Sequence, residues 1–131
     1  MKKGLLFFVA AALLFSCTNT EVVEVGNKTS MMVDPVYDAG EVVKGELITA
    51  KFKVENTGNF PLVIADVKGS CSCTVASKPE DPIQPGEVAV ITAEVDTERT
   101  STGVITKSVR IVANTEPSVT EVAIKATVKS K

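Results

Sequence analysis

Ile48-Thr49-Ala50-Lys51-Phe52-Lys53-Val54-Glu55 decides the fold class. Ile48, Ala50, Phe52 and Val54 occupy one phase of a period-two repeat, and Thr49, Lys51, Lys53 and Glu55 occupy the other. Side chains on an extended backbone alternate between faces, so this stretch is a strand with one face in a core and one in water. Phe52 anchors the core face. The same alternation returns downstream. Ala89, Ile91, Ala93 and Val95 oppose Val90, Thr92 and Glu94; Val109, Ile111 and Ala113 form the inward set of a strand over 104–113. Thr120, Val122, Ile124, Ala126 and Val128 oppose Glu121, Lys125 and Lys129.

Turn signals separate these runs. Residues 31–37 give a first strand interrupted by Pro35, which places it at an edge or a bend. Asp38-Ala39-Gly40 and Lys44-Gly45-Glu46 read as turns around Glu41-Val42-Val43. Asn56-Thr57-Gly58-Asn59 is a tight turn in which Gly58 can take φ > 0. Leu62, Ile64 and Val67 carry the next strand toward Gly69, and residues 74–76 extend as a short one. Gln84-Pro85-Gly86-Glu87 has Pro then Gly at the central positions of a type II turn. Residues 96–103 are a polar loop, and Asn114-Thr115-Glu116-Pro117 turns the chain. About seven short strands with turns between them predict an all-β sandwich.

The N-terminus reads as delivery. Lys2 and Lys3 precede an apolar run over 5–15, too short for the roughly 20 residues that span a bilayer as a helix. Ser16 and Cys17 end it, so residues 1–16 are expected to be a cleaved lipoprotein signal peptide and Cys17 the lipidated new N-terminus. The competing reading is an ordinary signal followed by a chance cysteine. Acyl chains on Cys17 would hold the protein to a membrane, each buried CH₂ contributing about 0.8 kcal/mol. Residues 17–30 are then a polar tether and residues 31–131 the domain. Asn27-Lys28-Thr29 fits a glycosylation sequon, but a plain linker is the simpler reading. No acidic cluster follows Cys17, which favours the periplasmic face of the outer membrane over the cell surface.

Composition excludes several chemistries. The chain has no histidine, so Ser-His-Asp and Cys-His catalysis and His-containing zinc sites are ruled out within one chain. It has no tryptophan, and past residue 16 only Tyr37, Phe52 and Phe60 remain for stacking on bases or sugars. Loss of Lys2 and Lys3 deepens a net charge that is already −2, leaving no basic footprint for nucleic acid. No nucleophile elbow, Walker, zincin or EF-hand pattern is present. The expectation is a protein that is not an enzyme and holds no cofactor.

The candidates for chemistry in the domain are Cys71 and Cys73, within Gly69-Ser70-Cys71-Ser72-Cys73-Thr74. Four readings compete. The pair packs as small hydrophobes. It forms a disulfide, although Cα atoms two apart on an extended strand lie about 6.6 Å apart, at the long end for one. It binds a soft ion such as Cu(I), for which Met31 and Met32 are further candidate ligands and core packing their simpler role. Or it exchanges with the thiols of a partner.

Four stretches together resemble a known family. They are Tyr37-Asp38-Ala39-Gly40-Glu41-Val42 with Gly45-Glu46; Phe52-Lys53-Val54-Glu55-Asn56-Thr57-Gly58-Asn59 leading to Pro61-Leu62-Val63-Ile64; Ser70-Cys71-Ser72-Cys73-Thr74; and Pro82-Ile83-Gln84-Pro85-Gly86-Glu87. The chain resembles bacterial domain-of-unknown-function family 1573, common in lipoproteins and exported proteins of Bacteroidetes, over about 31–128. This family usually has Gly between its cysteines, where Ser72 stands here. The resemblance implies an immunoglobulin-like fold and supplies no agreed activity. The resulting expectation is a lipid-anchored envelope module that binds or scaffolds an envelope protein, by strand addition to a sheet edge. The alternative is a thiol redox or Cu(I)-binding protein using Cys71 and Cys73.

Overall fold

The computed structural model describes residues 26–131. Cys17, the signal peptide and most of the tether lie outside them. Eight strands form two four-stranded sheets: β1 (Met31–Val33), β2 (Val36–Val43), β3 (Leu47–Asn56), β4 (Ile64–Gly69), β5 (Thr74–Ser77), β6 (Val88–Asp96), β7 (Gly103–Ala113) and β8 (Val119–Lys129). One sheet has the order β1-β3-β6-β5 and the other β2-β8-β7-β4. Their facing sides enclose one core, so the fold is an immunoglobulin-like β-sandwich.

The alternation read in β3 holds along its whole length. Ile48, Ala50, Phe52 and Val54 are buried against Ile91, Ala93 and Val95 of the same sheet and Val109, Ile111, Val122, Ile124 and Val128 of the other. Phe52 meets Tyr37 edge-on across the sandwich, ring centroids 6.2 Å apart. Burying one such side chain contributes about 1.5–3 kcal/mol.

Two strands stand where the sequence suggests one, because Pro35 divides the first. Residues before it pair with β3; residues after it run parallel to β8 in the opposite sheet. Proline has no N–H for a ladder, so the chain changes sheets there. Asp38-Ala39-Gly40 is a bulge inside β2 instead of a turn: Gly40 takes φ 68°, Asp38 Oδ1 accepts its N–H at 2.8 Å, and the register slips between Asp38 and Glu41. Gly86 takes φ 81° and Glu87 N–H donates to Gln84 O at 2.9 Å, as the Pro-Gly turn requires.

Gly58 differs from expectation. Its φ is not positive; glycine is needed there because a Cβ would overlap Thr29 Oγ1 and come within 2.6 Å of Ser30 N. Thr29 is itself buried, bridging Thr115, with its N–H on Asn114 O at 2.9 Å. The packed domain therefore begins before Met31, inside the stretch read as tether.

Candidate functional site

Strands β4 and β5 are edge strands of different sheets, and Ser70-Cys71-Ser72-Cys73 is the arch between them. Crossing from one sheet to the other in four residues demands a close approach at the base. Gly69 provides it: a Cβ there would lie 2.6 Å from Thr74 Cβ and from Thr74 O. Thr74 N–H then donates to Cys71 O at 3.1 Å, closing a turn over 71–74. The turn brings the Cα atoms of Cys71 and Cys73 to 5.2 Å, well inside the separation on an extended strand, and the two sulfurs are joined as a disulfide. Cys73 is buried, 6% exposed, whereas Cys71 is half-buried.

Both flanks of the arch are fixed. On the β7 side, Ser70 N–H donates to Ser108 O at 2.9 Å, and Ser108 N–H donates to Ser70 Oγ at 3.1 Å. On the β6 side, Asp96 N–H donates to Cys73 O at 2.9 Å, continuing the β5–β6 ladder. Asp96 also caps a single 3₁₀ turn, Thr97–Arg99, its Oδ1 accepting Glu98 N–H at 3.0 Å. Thr97, wholly buried, donates through Oγ1 to Glu46 O at 2.6 Å and accepts Gly45 N–H at 2.9 Å, so this turn is seated on the β2–β3 connection. From that seat Arg99 spans Ser72, the residue between the cysteines: Nη1 donates to its carbonyl at 2.7 Å and Nη2 to its hydroxyl at 2.9 Å. Thr74 Oγ1 sits 3.6 Å from Cys71 Sγ and 3.8 Å from Cys73 Sγ. Disulfide sulfurs carry no proton, so the hydroxyl is the donor in both weak contacts.

Beside the arch runs a groove of about 540 Å³ lined by Val67, Lys68, Gly69, Cys71, Val75 and Ala76 among others. Register determines which backbone groups border it. Ser70 bonds Ser108 and Cys73 bonds Asp96; counting back along antiparallel ladders, Val67 on β4 and Ala76 on β5 turn their N–H and C=O away from their own sheets. Val75, one residue earlier, is 69% exposed.

Met31 and Met32 lie on β1, the opposite edge of the sheet from β5 and three strands away, about 14 Å at normal strand spacing. They do not join the cysteines. Met31 packs against the core, while Met32 is 62% exposed and does not. Among the described residues no group of three or more His, Cys, Asp or Glu side chains clusters as metal ligands. A soft ion would need the thiolate forms, which the bonded pair does not offer.

Two residues of consequence escape the sequence reading. Arg99 sits in a polar loop, and nothing in its neighbours announces a contact 27 residues away. Asn56, read as a turn residue, is the last residue of β3 and 0% exposed. Its signal was available: it lies two residues beyond Val54 and therefore on the same inward face.

The model of the family described as "Protein of unknown function (DUF1573)" matches residues 30–128, and the chain belongs to that family. None of the curated proteins matches it. Among solved structures it resembles a protein of unknown function from Porphyromonas gingivalis W83, with 20% identity and TM-score 0.69 over 83% of this chain; it spans about half, 51%, of that one. It also resembles the VesB protease of Vibrio cholerae (11% identity, TM-score 0.58, 76% of this chain and 31% of that one). A third likeness is to PapD-like domain 7 of human CEP192, with 11% identity, TM-score 0.56, and 79% and 88% coverage. At these identities each likeness speaks of fold alone.

Proposed function

We propose that this member of the family is a binding module of the cell envelope, held through lipid on Cys17 at the periplasmic face of the outer membrane. Its binding element is the groove between β4 and β5, and its partner is an extended segment of another envelope protein with small apolar side chains. The observation that carries this reading is that two edge strands from different sheets border one groove and turn the backbone of Val67 and Ala76 outward. Free N–H and C=O groups along an edge accept an added strand, and alternate side chains of that strand set specificity. Val67, Val75 and Ala76 supply the apolar contacts.

The remaining edges suit this role less. β1 has three residues, and the bulge at Asp38-Ala39-Gly40 interrupts the ladder of β2, a common way of blunting an edge.

A photo-crosslinking residue at Val75, in cells producing the full chain, tests the reading. The expected result is one discrete adduct that disappears when Ala76→Pro is added. That proline removes an N–H outside the β5–β6 ladder, so the fold tolerates it while strand addition does not. No adduct, or one indifferent to Ala76→Pro, would sink the groove as the binding element. The anchor is tested separately: Cys17→Ser should move the protein from the membrane fraction to the soluble one, and retention on the membrane refutes lipidation.

A further inference from the structure

The Cys71–Cys73 bond closes a small ring, across one intervening residue. Closing so short a loop constrains the unfolded chain little, so the bond is a poor staple. The arch also has ties that do not involve it. Six hydrogen bonds hold residues 70–74 in place: Ser70 to Ser108 and Ser108 back to Ser70, Asp96 to Cys73 O, Thr74 to Cys71 O, and the two arms of Arg99 on Ser72. None of the six uses a sulfur. An arch that keeps its shape when the bond is cut leaves two thiols poised to close again, which suits reversible redox chemistry.

We propose that Cys71 and Cys73 form an exchange site for protein dithiols, and that Arg99 is its positioning residue. The two sulfurs have separate roles. Cys71 is half-buried and lines the groove, so it receives the incoming thiolate; Cys73 is buried and does not line it. Attack on Cys71 Sγ forms a mixed disulfide and breaks the Cys71–Cys73 bond. The bonding pair leaves on Cys73 Sγ, which takes up a proton. Thr74 Oγ1, already 3.8 Å from that sulfur, is the hydrogen-bond donor to the departing thiolate. The second thiolate of the partner then attacks the partner sulfur bound to Cys71 and releases Cys71 as a thiolate, which is also protonated. The partner loses two electrons and two protons, and the cysteine pair gains them.

Arg99 acts through Ser72 and touches neither reacting sulfur in this scheme. Its planar fork binds carbonyl and hydroxyl of one residue together, fixing the bend that sets the 5.2 Å separation of the cysteine Cα atoms. Loss of the fork lowers the effective concentration of one thiol at the other, which favours the open, reduced pair. The guanidinium charge would act in the opposite sense. A nearby cation stabilises thiolates, so its removal would favour the disulfide. The sign of the effect therefore separates positioning from charge.

The test equilibrates the full chain in dithiothreitol buffers of graded ratio, alkylates free thiols, and counts them by mass, for the native protein, Arg99→Ala and Arg99→Lys. The expected result is reversible two-electron reduction of the native pair, with Arg99→Ala about tenfold more reduced at equal buffer ratio, a potential about 30 mV less negative. Arg99→Lys keeps the charge without the fork and should not restore the native value. A native pair that stays bonded in every buffer, or that never closes, overturns the exchange site. A potential that is unchanged in Arg99→Ala, or moves the other way, overturns the positioning role. For the sulfur assignment, oxidised glutathione should label Cys71 in Cys73→Ser at least about tenfold faster than Cys73 in Cys71→Ser, the thiolate being the reactive form in both. Equal rates refute it. These readouts are independent of strand addition, so either proposal can fail alone.

Discussion

At one end of the sandwich, where β3 finishes, the loops are held by two asparagines; at the other, about 30 Å along the ten-residue strand, they are held by Thr97, Arg99 and a disulfide. Asn56 gives both amide hydrogens to backbone carbonyls, Phe60 O at 2.7 Å and Ile83 O at 2.8 Å. Its Oδ1 accepts Thr29 Oγ1–H at 2.9 Å and Gly58 N–H at 3.0 Å. Asn114 does the same at lower burial, accepting Val63 N–H at 2.7 Å and donating to Asn27 O and Pro61 O. The groups that hold that end are neutral amides with their hydrogen bonds filled, Asn56 wholly buried and Asn114 half-buried. The cysteine end uses a charged fork at the surface, over a bond that can be cut. The difference separates two tasks: one end fixes the fold, while the other is fixed by the fold and remains chemically open.

The comparison is broken most severely at Asn56. Asn56→Ala removes four hydrogen bonds, leaves Thr29 Oγ1 and Gly58 N–H without those partners, and leaves Ile83 O with Leu62 N–H alone, all at a buried site. An unsatisfied buried group costs about 1–3 kcal/mol, so unfolding in urea should show a loss of about 3 kcal/mol. The dithiothreitol equilibrium of the cysteine pair, measured where the variant is still folded, should not change. A loss below about 1 kcal/mol would mean that water replaces the amide, and the claim of a saturated end would fail.

Gly69→Ala should be next in size. The added methyl meets Thr74 Cβ and Thr74 O at 2.6 Å, and neither belongs to a flexible side-chain end. Overpacking of this kind costs about 1–3 kcal/mol. Unlike Asn56→Ala, this change should spread the base of the arch and make the disulfide easier to reduce. Urea titration and the redox equilibrium should therefore move together, and a stability loss with an unmoved redox equilibrium would show that the arch does not depend on its base.

How far the two ends were legible follows from the range of the interactions. Periodicity reports which face is buried, so the core of β3, β6, β7 and β8 could be read residue by residue, and Asn56 could have been placed inward by the same count. Pro35 and Gly86 act on their own backbone, so the break at one and the turn at the other were local enough to read; that the chain changes sheets at Pro35 was not. The arch is different. That residues 70–73 cross between sheets follows from which strands lie at the edges, and strand order is not written in any single stretch. Arg99 reaches Ser72 only because Thr97 seats its turn on the β2–β3 connection, a contact 51 residues away in sequence. Gly58 illustrates the same limit: its glycine was legible, but the close approach of Thr29 that requires it was not.

Thr97→Val tests that seat. The substitution keeps the shape and removes the bonds to Glu46 O and from Gly45 N–H. Gly45 and Glu46 are exposed, so water recovers part of the loss and the expected cost is about 1.5 kcal/mol. Arg99 should then lose its fixed origin, and amide exchange should quicken at Thr74 and Asp96, whose N–H groups are held by Cys71 O and Cys73 O, while Asn56 and Asn114 keep their protection. Equal protection at Thr74 in both proteins would show that the fork holds without its seat.

The smallest effect belongs to Ser72→Gly. It removes the hydroxyl that Arg99 Nη2 holds at 2.9 Å and leaves the carbonyl held by Nη1 at 2.7 Å. No non-glycine residue among those described takes a positive φ, so serine costs nothing in backbone strain here. Glycine widens the unfolded ensemble and should lower stability by about 0.5 kcal/mol. With half the fork gone, the cysteine pair should shift toward reduction in the same direction as Arg99→Ala and by a smaller factor. A shift as large as that of Arg99→Ala would assign the positioning to the hydroxyl. No shift would assign it wholly to the carbonyl, and would mean that the cysteines are held through the backbone alone.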